Sequence, residues 1–399
     1  MAGSKKVNRK DDKNRVLHNG ESQRNDGTYM YRWNKNGRRS TVYASTLQEL
    51  REKEEKIKAD LRDGINIDGS NITLNVLFEQ SMAVRTLKPS TRSNYNAMWN
   101  ANVKDSFLGN MKIADVKPNH IKIFYIEDCI KQKGLKRNTI KLLQNLLFSS
   151  FENAVDNDLI RKNPAKKAMK DLEDDATEKT PLTEKQVAEF LGFCSNHSCY
   201  NIHVPFLVVA LGTGLRCSEL CGLQWSDVDL NNKELTVDHQ LVYKNVDGTG
   251  CKFYISTPKT KAGIRIIPLT DSVCRAFMEL KKQNMILGRV CRAEIDGYSN
   301  FCFISGKGQP FATNAVNSFL YGIQNAYNKQ YPETPLPHIS AHILRHTACT
   351  LYARARMDIK ALQSIMGHQD ASITMNIYNH ANDEHTRDEI SRLNNVINF

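Results

Sequence analysis

Between Thr73 and Ala168 apolar residues recur every three or four positions in Leu74 to Leu87, Ser90 to Val103, Pro118 to Lys131 and Thr139 to Asn157. That is the spacing of helices with one buried face, and it predicts a domain of four or five helices. Pro89 and Pro118 stand at plausible helix starts, where a residue needs no amide N–H. Upstream, from Arg15 to Tyr43, the pattern alternates instead, with Asp26-Gly27 and Asn36-Gly37 where tight turns would reverse the chain. A small three-stranded sheet is expected there. Thr46 and Glu49 form a capping-box pattern that opens a charged helix running to about Asp63, with Gly64 as its stop.

Asp171 to Thr180, with five acidic residues and almost nothing apolar, cannot pack and reads as a linker. Past Pro181 the pattern is mixed. An apolar helix is expected over Tyr200 to Leu211, short strands at Glu234 to Val237, Phe253 to Ser256 and Gly263 to Pro268, and then mainly helices. The last stretch, Asp383 to Phe399, is polar with Ile390, Leu393 and Ile397 at helical spacing, so it fits a helix that docks elsewhere, in cis or in trans. The fold class is therefore multidomain and mainly α with small β-sheets. Residues 1–70 form the sheet and helix, 71–170 a helical domain, 171–181 a linker, and 182–399 a mixed α+β domain with a tail.

Composition narrows the partner. Lys and Arg number 55 against 43 Asp and Glu, a formal net charge of +12, which favours a polyanion through long-range attraction and counterion release. No apolar run approaches the roughly eighteen residues of a membrane span, and the basic N-terminus is followed by no apolar segment, so no signal peptide or anchor is expected. The ten cysteines lack the paired spacings of a zinc site or a disulfide framework and read as free thiols in a reducing compartment, the cytoplasm.

Candidate chemistry gathers late in the chain. His342 and Arg345 are three apart after Ser340, a fair N-cap, so both project from one helix face and offer a proton acceptor beside a phosphate clamp. His342 and His346 stand at zinc-binding spacing, but Ile343 occupies the position where a metalloprotease helix carries Glu. Gly367-His368 follows an apolar helix end, and Tyr378 comes ten residues later, after Ser372 as a second candidate cap. Arg216 lies far upstream in the turn-like Gly212-Thr213-Gly214-Leu215-Arg216. Tyr321 and Tyr352 lack comparable flanks and read as core. In the N-terminal sheet, Tyr31, Arg32, Trp33, Lys35 and Arg38 mix aromatic and basic residues as a sheet laid in a DNA groove requires. Lys88, Thr91, Arg92 and Arg137 lie at helix starts, where backbone N–H groups favour phosphate.

Five blocks in this order resemble the tyrosine recombinase (phage integrase) family, most of all the integrases of conjugative transposons and Gram-positive temperate phages. They are Thr213-Gly214-Leu215-Arg216-Cys217-Ser218-Glu219-Leu220; Pro258-Lys259-Thr260-Lys261 before Arg265-Ile266-Ile267-Pro268-Leu269; His342-Ile343-Leu344-Arg345-His346-Thr347; Ile365-Met366-Gly367-His368; and Asn376-Ile377-Tyr378-Asn379-His380. The resemblance is strong from about Pro181 to Asn382, and the two upstream domains fit the family's arm-binding and core-binding (SAM-like) domains by position and pattern.

The resemblance implies a site-specific recombinase that integrates and excises a mobile element. Tyr378 is then the nucleophile, Arg216 and Arg345 bracket the phosphate oxygens, and His342 accepts or relays the phenol proton. His368 donates to the phosphate. Lys259 protonates the leaving 5′-oxygen, with Lys261 its competitor, and Glu219 orients a neighbour. No cofactor or metal is implied. The implied partners are double-stranded DNA at core crossover and arm-type sites, three further protomers in a tetramer on two duplexes, and accessory excision and DNA-bending proteins. The setting is the nucleoid of a bacterial host, with no membrane involved. A type IB topoisomerase shares the phosphotyrosine chemistry, and a non-cleaving DNA-binding regulator shares the scaffold.

Overall fold

The computed structural model describes residues 9–35, 38–66, 71–170, 180–245, 249–258, 263–372 and 374–375. The chain divides into two compact units, Met1–Ala176 and Thr177–Phe399. In the first, β1 (Glu21–Gln23), β2 (Tyr29–Lys35) and β3 (Arg38–Ala44) form an antiparallel sheet in that order. Lys35 pairs with Arg38 across the second turn; Asn36 and Gly37 lie outside the described residues. The helix α1 (Leu47–Arg62) covers one face, and Tyr29, Tyr31, Leu47, Leu50 and Ile57 make their shared core. Thr46 caps α1 by accepting the Glu49 N–H at 3.2 Å, but the Glu49 carboxylate turns to Ser45 rather than completing the box.

Next come α2 (Leu74–Ala83), α3 (Pro89–Asn102), α4 (Phe107–Asn110), α5 (Pro118–Ile123), which continues in π-helical register over Phe124–Gln132, and α6 (Arg137–Asp156). Both prolines open helices as expected. The helix α2 stops at Ala83 rather than Leu87, and Lys88, before Pro89, is held extended (φ −57°, ψ 142°) as the N-cap of α3. Trp99 stacks on Phe78 with ring centroids 3.9 Å apart in the middle of this core. Arg161 ties it to α1, reaching Asp60 at 2.9 Å and Asp63 at 2.7 Å.

The second unit contains α7 (Glu184–Asn196), α8 (Val204–Thr213), α9 (Cys217–Gly222), β4 (Val228–Asp229), β5 (Glu234–Val237), β6 (Gln240–Asn245), β7 (Cys251–Ser256) and β8 (Arg265–Pro268). Beyond them lie α10 (Asp271–Ile286), β9 (Glu294–Ile295), β10 (Tyr298–Ser299), α11 (Thr313–Gln330), α12 (Ala341–Arg354) and α13 (Ile359–Met366). The helix α8 is apolar nearly all round and is the buried centre, packed by α7, α10 and α12. It begins at Val204 rather than Tyr200, with Pro205 in its first turn. The strands β7 and β8 belong to different sheets, β6-β7 and β4-β5-β8, and Lys259 and Lys261 between them lie outside the described residues. All ten cysteines are free. Tyr321, expected in the core, is 58% exposed because the inward face of α11 is set by Val316, Leu320, Ile323 and Tyr327. No described helix is long and apolar enough to cross a membrane.

Candidate active site

Two helix ends build the site. The chain leaves α8 through Gly214 in the left-handed region (φ 63°), and a Cβ there would come within 2.7 Å of Met366 Sδ. Glycine therefore meets both a backbone and a space requirement. The helix α13 ends the same way at Gly367 (φ 62°). Both ends turn unpaired carbonyls, the negative pole of a helix, toward the interior. Arginines answer them. Arg345, on α12 and 6% exposed, donates to Gly214 O at 2.7 Å and to Met366 O at 2.5 Å. Arg216, just before α9, donates to Gly367 O at 2.9 Å and to Glu219 Oε1 at 2.8 Å.

Ser340 caps α12 as expected, accepting the Ile343 N–H at 3.4 Å, so His342 sits in the first turn and Arg345 one turn on. Arg216, Cys217, Ser218, Thr313, Asn317, His342 and Arg345 line one cavity of about 450 Å³. Burial, then the neighbouring charges of Arg216 and Arg265, lower the Arg345 pKa to about 10, which leaves it a cation at neutral pH. Burial, then Arg345 and Arg216, lower His368 to about 4, so its imidazole is neutral. His368 Nδ1 lies 2.9 Å from the buried Thr374 hydroxyl. With the hydroxyl donating to Nδ1, the other ring nitrogen carries the N–H and can donate to an anion.

Glu219 is 4% exposed. Burial raises its pKa, but hydrogen bonds and charge from Arg265, with Arg216, outweigh burial and hold the carboxyl below its ordinary value. Arg265 escaped the list of candidate residues. Its signal was available: on a strand whose alternate positions turn inward, an inward arginine demands a buried carboxylate. Thr374 was missed for lack of any motif. Asp370, not Ser372, takes the cap role before Thr374, accepting the Ser372 N–H at 2.8 Å. Lys259, Lys261 and Tyr378 lie outside the described residues.

The DNA-contact candidates scatter. In β2, Tyr31 is 7% exposed and stacks on Trp33 on the face toward α1, so these aromatics hold the sheet to its helix rather than facing a groove. Strand alternation puts Arg32 on the opposite face, with Arg39 and Tyr43. The side chains of Lys35 and Arg38 lie outside the described residues. Arg92 donates to Met82 O and Arg85 O, both at 2.7 Å, so its guanidinium closes the end of α2 instead of facing solvent. Lys88 is exposed, while Thr91 and Arg137 are half-buried at the starts of α3 and α6.

The sequence profile of the Phage integrase family spans residues 180–385, more than half of the chain and the whole of this site. The chain belongs to the phage integrase family. Upstream, the DNA-binding domain of Tn916 integrase matches residues 5–61, and the phage integrase N-terminal SAM-like domain matches 77–127. This integrase is 37% identical to the transposase from transposon Tn1545 of Streptococcus pneumoniae, over 97% of its length and 96% of the relative's. It is 36% identical to the transposase from transposon Tn916 of Enterococcus faecalis, over the same shares. Among solved structures, the Tn1549 transposon integrase in complex with transposon right-end DNA superposes with a TM-score of 0.73 at 35% identity, covering 81% of this chain and 99% of that one.

Proposed function

We propose that this phage-integrase family member is a site-specific DNA recombinase that integrates and excises a mobile element, as the names of its transposon relatives suggest. The observation that carries the mechanism is the convergence of Arg216, His342 and Arg345 on one cavity, with His368 neutral beside the arginine pair. The Tyr378 oxygen attacks the scissile phosphorus and gives its proton to His342. The 5′-oxygen leaves with a proton from Lys259, or from Lys261, and a 3′-phosphotyrosyl bond remains. A free phenol has a pKa near 10, so the attack needs this base. Arg216 and Arg345 stabilise the charge gathered on the phosphoryl oxygens and His368 donates one further bond, so the scheme calls for no metal ion.

Because the phosphotyrosyl bond conserves the energy of the cleaved one, a 5′-hydroxyl from another strand reverses the attack. Exchange of four strands then requires four active protomers on two duplexes. Residues 1–70 serve as an arm-site module, 71–170 as a core-site module, 171–181 as a linker and 182–399 as the catalytic domain. Accessory excision and DNA-bending proteins, and a place on the bacterial nucleoid, complete this reading.

A nicked suicide duplex carrying a crossover site tests it. Wild type is expected to trap a covalent adduct, and Tyr378→Phe to bind the duplex without trapping. Cleavage by Tyr378→Phe would displace the nucleophile, and relaxation of any DNA without site dependence or strand exchange would point to a topoisomerase. Binding with no adduct from wild type would leave a regulator.

A further inference from the structure

Arg265 opens the edge strand β8, yet it is 7% exposed and does not line the cavity. Its Nη2 donates to Glu219 Oε2 at 2.8 Å and its Nη1 to Oε1 at 3.3 Å, a fork on one carboxylate. Nη1 also reaches Gly263 O at 3.1 Å, and Nε reaches Ile365 O at 2.7 Å. The same Glu219 oxygens hold Arg216 twice, Oε1 taking its Nη1 at 2.8 Å and Oε2 its backbone N–H at 2.9 Å. Three consecutive carbonyls at the end of α13 thus each receive one guanidinium: Ile365 from Arg265, Met366 from Arg345 and Gly367 from Arg216.

A buried cation is costly unless its donors are used, and an apolar side chain of similar volume would pack at least as well. Arg265 uses its guanidinium to join β8, α9 and α13. We propose that Arg265 is a positioning residue for strand cleavage, fixing Arg216 through Glu219 against the end of α13, from which the chain runs on to Tyr378. The inference rests on the recombinase reading. Arg216 is 40% exposed in its side chain and needs such a brace, since a long side chain free to swing seldom meets the phosphate in register. Arg265 holds both oxygens of Glu219, so the carboxylate that accepts from the Arg216 guanidinium and backbone N–H is itself fixed in place.

The test uses the full chain and the suicide duplex, with Arg265→Gln and Arg265→Lys. Misplacing a reacting group by about 1 Å costs on the order of 10²-fold. Single-turnover adduct formation by Arg265→Gln should fall by roughly that factor, with duplex affinity unchanged and a cooperative melt retained. Arg265→Lys keeps the charge but not the fork, so it should recover part of the rate. Glu219→Gln added to Arg265→Gln should cost little more, because the two act as a unit. Wild-type rates in Arg265→Gln would overturn the proposal, as would a parallel loss of affinity and rate with Lys no better than Gln. If wild type itself forms no Tyr378-dependent adduct, the recombinase reading fails; if it does and Arg265→Gln matches it, only this inference falls.

Discussion

His368 shows how far a side chain's chemistry is set by where it sits. Its pKa of about 4 against the usual 6.5 means that an unfolded chain takes up this proton first as pH falls. Stability from this group is therefore complete above about pH 6.5 and is lost as pH drops toward 4. Following the imidazole by NMR should give a midpoint near 4 in the free protein. Denaturation midpoints should decline through that window in wild type and less steeply in His368→Gln; equal slopes would refute the assignment. The sequence named His368, Arg216, His342 and Arg345 because their spacing is fixed by motif. It did not reveal that Tyr31 and Trp33 face inward or that Arg92 is spent on α2, since a residue's type says what it can bond, not which neighbour arrives first.

The elements that carry the site are short and defined by how they end. Gly214 is required twice, by its φ of 63° and by Met366 Sδ, which leaves no room for a Cβ. Gly214→Ala should therefore destabilise the fold by about 1–3 kcal/mol, the range for strain at such a position. It should also slow cleavage beyond what lost stability explains, because the Gly214 carbonyl holds Arg345. Chemical denaturation together with adduct formation measured well below the unfolding transition checks both. Helix starts were legible from Pro89, Pro118 and Ser340, whose signals are local. Strand partners were less so: β6 pairs with β7, and β5 with β8, through contacts that periodicity does not encode.

Across the whole molecule the division of labour is the claim to test. Removing residues before Asn71 should leave crossover-site cleavage largely intact while binding to distal arm-type sites is lost, as measured on separate core and arm duplexes; equal loss on both would refute modularity. The Arg161 ties to Asp60 and Asp63 go with that segment, so a modest drop in melting temperature should accompany it. Arg345 has a further consequence at this scale. Its guanidinium is stripped of water when the chain folds, with peptide oxygens taking the place of hydration. The dehydration that a cation must undergo to meet a phosphate closely is thus suffered once, at the expense of thermal robustness, and not again at every encounter with DNA.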